Sequence, residues 1–190
     1  FSDCVRALIQ HDADVNAIHA QLGYTALQLA AMIGSYKTMN YLLNAGANRS
    51  FINTLHNKQR STIHYLAECG CSIGLLMLLN PTQGNIIKRN EEKKEINLLI
   101  NLQDLYGNTA LHLACIENSE ECVKILIESG ADATIPNFEG KTAVDVARAM
   151  NSGSTTTGSA GCSSVLFMVM TAAGLDPLTE STIGEVVGGE

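Results

Sequence analysis

A 33-residue period constrains this chain more than any other feature. Between Gln103 and Arg148, one complete unit is followed by the opening of another. The first reads Asp104-Leu105-Tyr106-Gly107-Asn108-Thr109-Ala110-Leu111-His112-Leu113-Ala114, then Val123 to Ile127, then Gly130-Ala131-Asp132. The pattern restarts at Asn137-Phe138-Glu139-Gly140-Lys141-Thr142-Ala143, so Gly107 to Gly140 and Thr109 to Thr142 are each 33 positions. Apolar residues inside the unit return at three- and four-residue steps, the spacing of one helical stripe. A single unit cannot cover its own stripe, so copies must stack on one another.

The unit resembles the ankyrin repeat, whose signature includes Thr-Pro-Leu-His-x-Ala at that period. The resemblance implies an all-α fold, an ankyrin-repeat solenoid of stacked antiparallel helix pairs with projecting β-hairpin loops. Periodicity by itself supports only helix pairs joined by turns.

Laid over the whole chain, residues 1–190 as a single domain, the unit recovers further copies. Residues 1–16 form a half copy, in which Val5, Leu8 and Ile9 fall where Val123, Leu126 and Ile127 do. Asp12 stands at a helix-ending glycine position that needs a left-handed backbone, which Asp tolerates. A partner helix is expected before Phe1. Residues 17–50 are a complete copy with Thr25 as helix N-cap. The third copy, 51–82, is degenerate: Gln59 replaces the turn glycine, and Pro81 should stop the second helix at about Asn80. An insertion at 83–99 carries the mixed-charge run Lys88–Glu95 and is expected to be a solvated or partly disordered loop, with a short extra helix or a functional arm as the alternative. Copy four spans 100–133. Copy five, 134–180, is interrupted between its helices by a Ser/Gly/Thr-rich linker, 151–164. Residues 181–190 begin a further unit or tail. Stacking is expected to be weakest at the third copy and at the linker.

Composition narrows the function classes. The net charge of −7 argues against a general nucleic-acid backbone binder. Several of the six cysteines fall on apolar repeat positions, where a free thiol behaves as a small hydrophobe. No secretory leader is apparent, so an intracellular, reducing setting is expected, cytoplasmic or nuclear. The longest uninterrupted apolar run, Val165–Met170, is too short to span a bilayer.

What the resemblance implies about binding is that a protein partner docks on the loop tips and the inner face of each first helix. Transferred to this chain, those positions are Gln21, Leu22, Tyr24, Met32 and Ile33 in the second copy, and Asn57, Lys58, Arg60, Glu68 and Cys69 in the third. The fourth copy supplies Leu105, Tyr106, Asn108, Ile116 and Glu117; the fifth supplies Phe138, Glu139, Lys141, Ala149 and Met150. Their apolar members are Leu22, Tyr24, Met32, Ile33, Leu105, Tyr106, Ile116, Phe138 and Met150. A contiguous exposed patch of that kind marks an interaction site.

Catalytic and metal chemistry find little support. His112 and Cys115 sit one helical turn apart, as a nucleophile and base would. They occupy, however, the motif histidine and a small alanine position of the resembling family, both structural. Cys69, Cys71, His64 and Cys115 lack the paired spacing of zinc modules. Gly23, Gly107 and Gly140 are isolated turn glycines rather than a phosphate-cradling cluster. No catalytic residue, metal or cofactor is therefore expected. One modification pattern stands out: Leu8 followed by Asp14-Val15-Asn16 resembles the ankyrin consensus hydroxylated at asparagine by 2-oxoglutarate-dependent hydroxylases, with Asn16 as substrate.

The expected function is a monomeric, non-enzymatic scaffold for protein–protein interaction. Two alternatives stay open. The chain could be the ankyrin segment of a larger transcription-control or signalling protein, of the inhibitor-of-NF-κB-like or yeast cell-cycle regulator-like kind. It could also be an ankyrin module appended to an enzyme.

Overall fold

A computed structural model of the chain describes residues 2–50, 59–79, 98–152 and 164–176. Several expectations lie outside the described residues: the loop positions Asn57 and Lys58, the break at Pro81, most of the insertion, the linker core and the 181–190 unit. At the edges of two of these, the boundaries differ from the sequence reading. Residues 98–100 are helical, with Leu99 and Ile100 buried, so the end of the 83–99 insertion belongs to the packed body. Helix also runs on to Ser152 and resumes at Ser164, inside the span read as linker.

Nine helices are named among the described residues: α1 (Ser2–Gln10), α2 (Ala26–Met32), α3 (Tyr36–Asn44), α4 (Thr62–Glu68), α5 (Ser72–Leu79), α6 (Ala110–Ile116), α7 (Glu120–Glu128), α8 (Ala143–Ser152) and α9 (Ser164–Ala172). They pack as two rows. The inner row is α2, α4, α6 and α8, each against the next; the outer row is α1, α3, α5, α7 and α9, likewise. Every inner helix also packs on the outer helix that follows it. The hydrophobic core is the seam between the rows, where Leu27, Met39, Leu66, Leu75, Leu111 and Leu126 are fully buried. Burying one such leucine stabilises the fold by about 2 kcal/mol. Because α4 and α6 have inner neighbours on both sides, the degenerate third copy is the interior of the stack, and its helix is buried from Thr62 through Ala67.

The outer helices α1, α3, α7 and α9 end alike. In α3 the Ala47 N–H donates to the Leu42 carbonyl at 2.9 Å and the Gly46 N–H to Leu43 at 3.1 Å. The Gly130-Ala131 and Gly174-Leu175 pairs repeat this closure after α7 and α9, the two-bond arrangement that satisfies orphan carbonyls. Asp12 holds the same corner after α1 with φ 58°, as expected. Gln59 (φ 47°) and Asn118 (φ 51°) are likewise left-handed where other copies place glycine.

The projecting loops close without a strand ladder among the described residues; an isolated antiparallel bridge joins Ile18 and Thr25. Side chains supplement a few backbone pairs, such as the His19 N–H to the Tyr24 carbonyl and the Asp104 N–H to the Asn108 carbonyl, both at 2.9 Å. Asp14, Asn48 and Asp132 each accept the N–H two residues on, at 2.8–2.9 Å, a local turn that competes with both helix and sheet.

Candidate functional site

The loop tips are built on one acceptor apiece. The Asp104 carboxylate accepts the N–H groups of Tyr106 and Asn108, both at 2.9 Å. Asn137 does the same for Glu139 and Lys141, both at 3.0 Å. In the second copy His19 Nδ1 accepts from Gln21 and Leu22 at 3.3 and 3.2 Å. Successive tips are then joined: the Phe138 N–H donates to the Tyr106 carbonyl at 3.1 Å, and Gln103 Nε2 donates to both Gly107 and Pro136 carbonyls at 2.9 Å. Such bonds position Leu105, Tyr106 and Phe138 on a fixed ledge.

Behind the tips, the start of each inner helix carries a reciprocal cap. Thr25 pairs with Gln28, Ser61 with His64, Thr109 with His112 and Thr142 with Asp145. The far end of the third-position side chain reaches the following copy: Gln28 Nε2 donates to Arg60 O at 3.2 Å, His64 Nε2 to Leu102 O at 3.0 Å and His112 Nε2 to Lys141 O at 3.0 Å. Each imidazole Nδ1 accepts the N–H of its cap residue, Ser61 or Thr109, so the ring proton sits on Nε2. Burial lowers His64 to about 4, against the pull of Asp104 and of the bond to Leu102 O, and burial likewise depresses His112. Both rings are spent on structure. Burial also pushes the Cys115 thiol up to about 12, the opposite of an activated nucleophile.

Eight of the nine apolar positions expected at the docking face are exposed: Leu22, Met32, Ile33, Leu105, Tyr106, Ile116, Phe138 and Met150. Phe138, at 72% exposure, is the most open of them. Tyr24 is a correction. It is 7% exposed and meets the Tyr65 ring edge-on with centroids 5.9 Å apart, because the neighbouring inner helix offers an aromatic face that a large ring can fill. Arg60 is a second correction. It is buried because its Nε lies 3.0 Å from Asp104 Oδ2 while its Nη1 pairs with Glu68. Burial works against that charge, yet the two carboxylates outweigh it and hold the guanidinium firmly ionised.

On the inner helices one exposed large apolar residue escaped the sequence reading. Leu29 is 41% exposed, although the residues matching it, Tyr65, Leu113 and Val146, are buried. Among the described residues α2 has an inner-helix neighbour on one side only. The signal in the sequence was the helical spacing of three residues, Leu29 with Met32 and Ile33 at three and four positions on.

Asn16 is exposed, and both ends of its amide are engaged. Its Oδ1 accepts the Asn48 N–H at 2.7 Å, and its Nδ2 donates to the Gly46 carbonyl at 3.5 Å. Asn101 Oδ1 accepts the Asp132 N–H at 2.9 Å in the same way, two copies further on. Among the described residues no group of His, Cys, Asp and Glu is placed to hold a metal ion, and no helix is long and apolar enough to cross a membrane.

Comparison with known proteins agrees with this architecture. The family profile "Ankyrin repeats (3 copies)" matches residues 1–91, and "Ankyrin repeats (many copies)" matches residues 93–147. The chain is similar to human inversin, 32% identical over 142 residues, covering 73% of this chain and 12% of that protein. It is 30% identical over 161 residues to the human mitochondrial disaggregase, covering 76% of this chain and 22% of that protein. Likeness to the Schizosaccharomyces pombe cell division cycle-related protein res1/sct1 is 24% over 171 residues, or 70% of this chain and 27% of that one. This chain therefore spans a small part of the length of each relative. With the repeat profiles running through both halves of the sequence and the two-row stack of capped helix pairs beneath them, the chain belongs to the ankyrin repeat family.

Proposed function

We propose that the chain is a non-enzymatic, monomeric docking scaffold that grips a polypeptide partner with its loop tips and inner helices. The observation that carries the reading is the register of the exposed apolar residues. Leu22, Leu105, Tyr106 and Phe138 recur at tips, and Met32, Ile33, Ile116 and Met150 recur at the ends of inner helices. Aromatic and large apolar side chains held outward on a rigid frame are the kind that dominate interface affinity. The acidic balance supports a protein rather than a nucleic-acid partner, and the cysteines among the described residues, which are free thiols, support an intracellular setting. For Asn16 we infer a linking role between neighbouring loops rather than modification; intact mass of the native protein one oxygen heavier at that residue would reverse this.

A second reading concerns the whole protein: an ankyrin segment serving a larger regulatory protein. The likeness to a cell division cycle-related protein supports it. A module appended to an enzyme is supported in the same manner by the likeness to a disaggregase.

The test is capture of partners followed by quantitative mass spectrometry, with the chain compared against a Tyr106→Ala/Phe138→Ala variant whose circular dichroism and melting are unchanged. Partners retained equally by both chains would defeat the docking reading.

A further inference from the structure

Two residues that stand just before an inner-helix cap reach across to the next copy. Arg60 precedes the cap Ser61 of α4, and Asn108 precedes the cap Thr109 of α6. Arg60 Nε donates to Asp104 Oδ2 at 3.0 Å, and Asn108 Oδ1 accepts from Asn137 Nδ2 at 3.0 Å. Asp104 and Asn137 are the groups on which the fourth and fifth tips are built. Through Oδ1, each accepts the N–H groups two and four residues further on. One relation therefore occurs at two successive joints: the residue before a cap holds the acceptor that folds the following tip.

Of the two joints, the one at Arg60 is the stronger. Both side chains of the Arg60–Asp104 pair are buried, so water does not compete for the bond, and a charge-assisted bond exceeds a neutral one. The last torsion of an aspartate is soft. Two N–H groups on Oδ1 do not by themselves fix the carboxylate plane; the guanidinium on Oδ2 does. Glu68 pairs with Arg60 Nη1 and orients the guanidinium from its other side. The Arg60 backbone is held in turn by copy two, where Gln28 Nε2 donates to its carbonyl at 3.2 Å. Onward from Asp104, the Tyr106 carbonyl accepts the Phe138 N–H at 3.1 Å. A line of hydrogen bonds thus runs through Gln28, Arg60, Asp104, Tyr106 and Phe138, from copy two to copy five.

Resting on the docking reading above, we infer that Arg60 and Asn108 are positioning residues for the docking tips. Each acts through the acceptor of the next copy rather than through contact with the partner. Arg60, by way of Asp104, holds the turn that presents Leu105 and Tyr106; Asn108, by way of Asn137, holds the turn that presents Phe138. A tip already held in place loses less freedom when a partner arrives, so the benefit is read as affinity. At Arg60 the fork geometry matters as much as the charge. A guanidinium offers fixed, planar donors to both carboxylates, whereas a lysine ammonium is a point charge on a flexible stem. Arg60→Lys therefore keeps the cation and gives up the hold.

The experiment separates positioning from stability by comparing Arg60→Lys, Asn108→Ala and Met39→Ala in the whole chain. Met39 is fully buried in copy two, so its truncation lowers stability away from both tips. Amide hydrogen exchange followed by NMR, corrected for global stability, is the first readout. Exchange should quicken by about fivefold or more at Tyr106 and Asn108 in Arg60→Lys, and at Glu139 and Lys141 in Asn108→Ala. The amides of Gln21 and Leu22, folded on His19, should keep their rates. Binding is the second readout, and its probe is a set of peptides selected from a random phage library on the unmodified chain. Those that are lost in Tyr106→Ala/Phe138→Ala should bind about three- to tenfold more weakly in Arg60→Lys and in Asn108→Ala, the cost of ordering one loosened side chain. Met39→Ala should hold them within about twofold, since distant sites act independently. Equal losses in all three variants, unchanged exchange at the four tip amides, or full affinity in both positioning variants would overturn the positioning role and leave the docking face standing. Selection of no peptide that depends on Tyr106 and Phe138 would overturn both.

Discussion

Phe138 stands over Gly107 of the preceding copy. A Cβ placed on Gly107 would lie 2.5 Å from the Phe138 nitrogen and 2.6 Å from its ring Cδ1, and Gly107 has φ 77°. One backbone position therefore sets both the turn that presents Tyr106 and the seat of the next aromatic tip. Gly107→Ala should lower stability by on the order of 1–3 kcal/mol, from the strained backbone and the clash together, and it should displace Phe138. Denaturant midpoints and the NMR shifts of the Phe138 ring check both effects; an unchanged ring environment would count against the shared seat.

The two tyrosines of the expected docking set should behave oppositely. Tyr24 is buried against Tyr65, whereas Tyr106 is 53% exposed. Tyr24→Ala is expected to cost about 3 kcal/mol of stability through the cavity it leaves. Tyr106→Ala should leave the melting temperature nearly unchanged and act on partner affinity instead. Urea titration of both variants, beside partner binding, separates the roles.

Arg60 and Asp104 form a joint between the third and fourth copies, with side-chain exposures of 5% and 0%. Arg60→Met leaves the Asp104 carboxylate buried without its cation, an expected loss of about 3 kcal/mol. The double variant Arg60→Met/Asp104→Asn should recover part of it, since no unpaired buried charge remains. Equilibrium unfolding of the three proteins gives the coupling, and a double variant no more stable than the single would show that the loss does not come from the stranded charge.

Acid sensitivity should follow from the buried imidazoles. His64 is held at about 4 against an unfolded value near 6.5, and His112 is lowered as well. The unfolded chain then binds more protons between those limits. Stability is full above about pH 6.5 and declines as pH falls toward 4. His64→Gln, which copies the cap that Gln28 forms in the second copy, should shrink the difference in urea midpoint between pH 7 and pH 5. An undiminished difference would assign the acid sensitivity to other groups.

A compact helical turn also constrains the third copy. A Cβ on Gly74 would lie 2.5 Å from Leu66 Cδ2 and 3.0 Å from Cys71 Sγ. Gly74→Ala should therefore destabilise, although alanine is the better helix former. Thermal melting checks the sign.

How much of this could be read beforehand differs from element to element. The helix pairs, the cap at Thr25, and the left-handed turn at Asp12 were legible because each depends on neighbours within one unit. Periodicity, cap chemistry and turn preference act over a few residues. Tyr24 and Arg60 were misplaced because they occupy a loop position that is half-buried at Asn108 and exposed at Lys141 in the other copies. Their fate depended on Tyr65, Asp104 and Glu68, which lie 41, 44 and 8 residues away along the chain.

By itself, then, the sequence determined that helical hairpins recur, where they start and stop, and which faces must be buried between copies. Only the tertiary structure decided which loop residues stay outside. A tip side chain goes inward when the next copy supplies a partner ring or carboxylate within reach, and outward when it does not. That choice depends on the distance across a stacking joint, and no local pattern of residues encodes it.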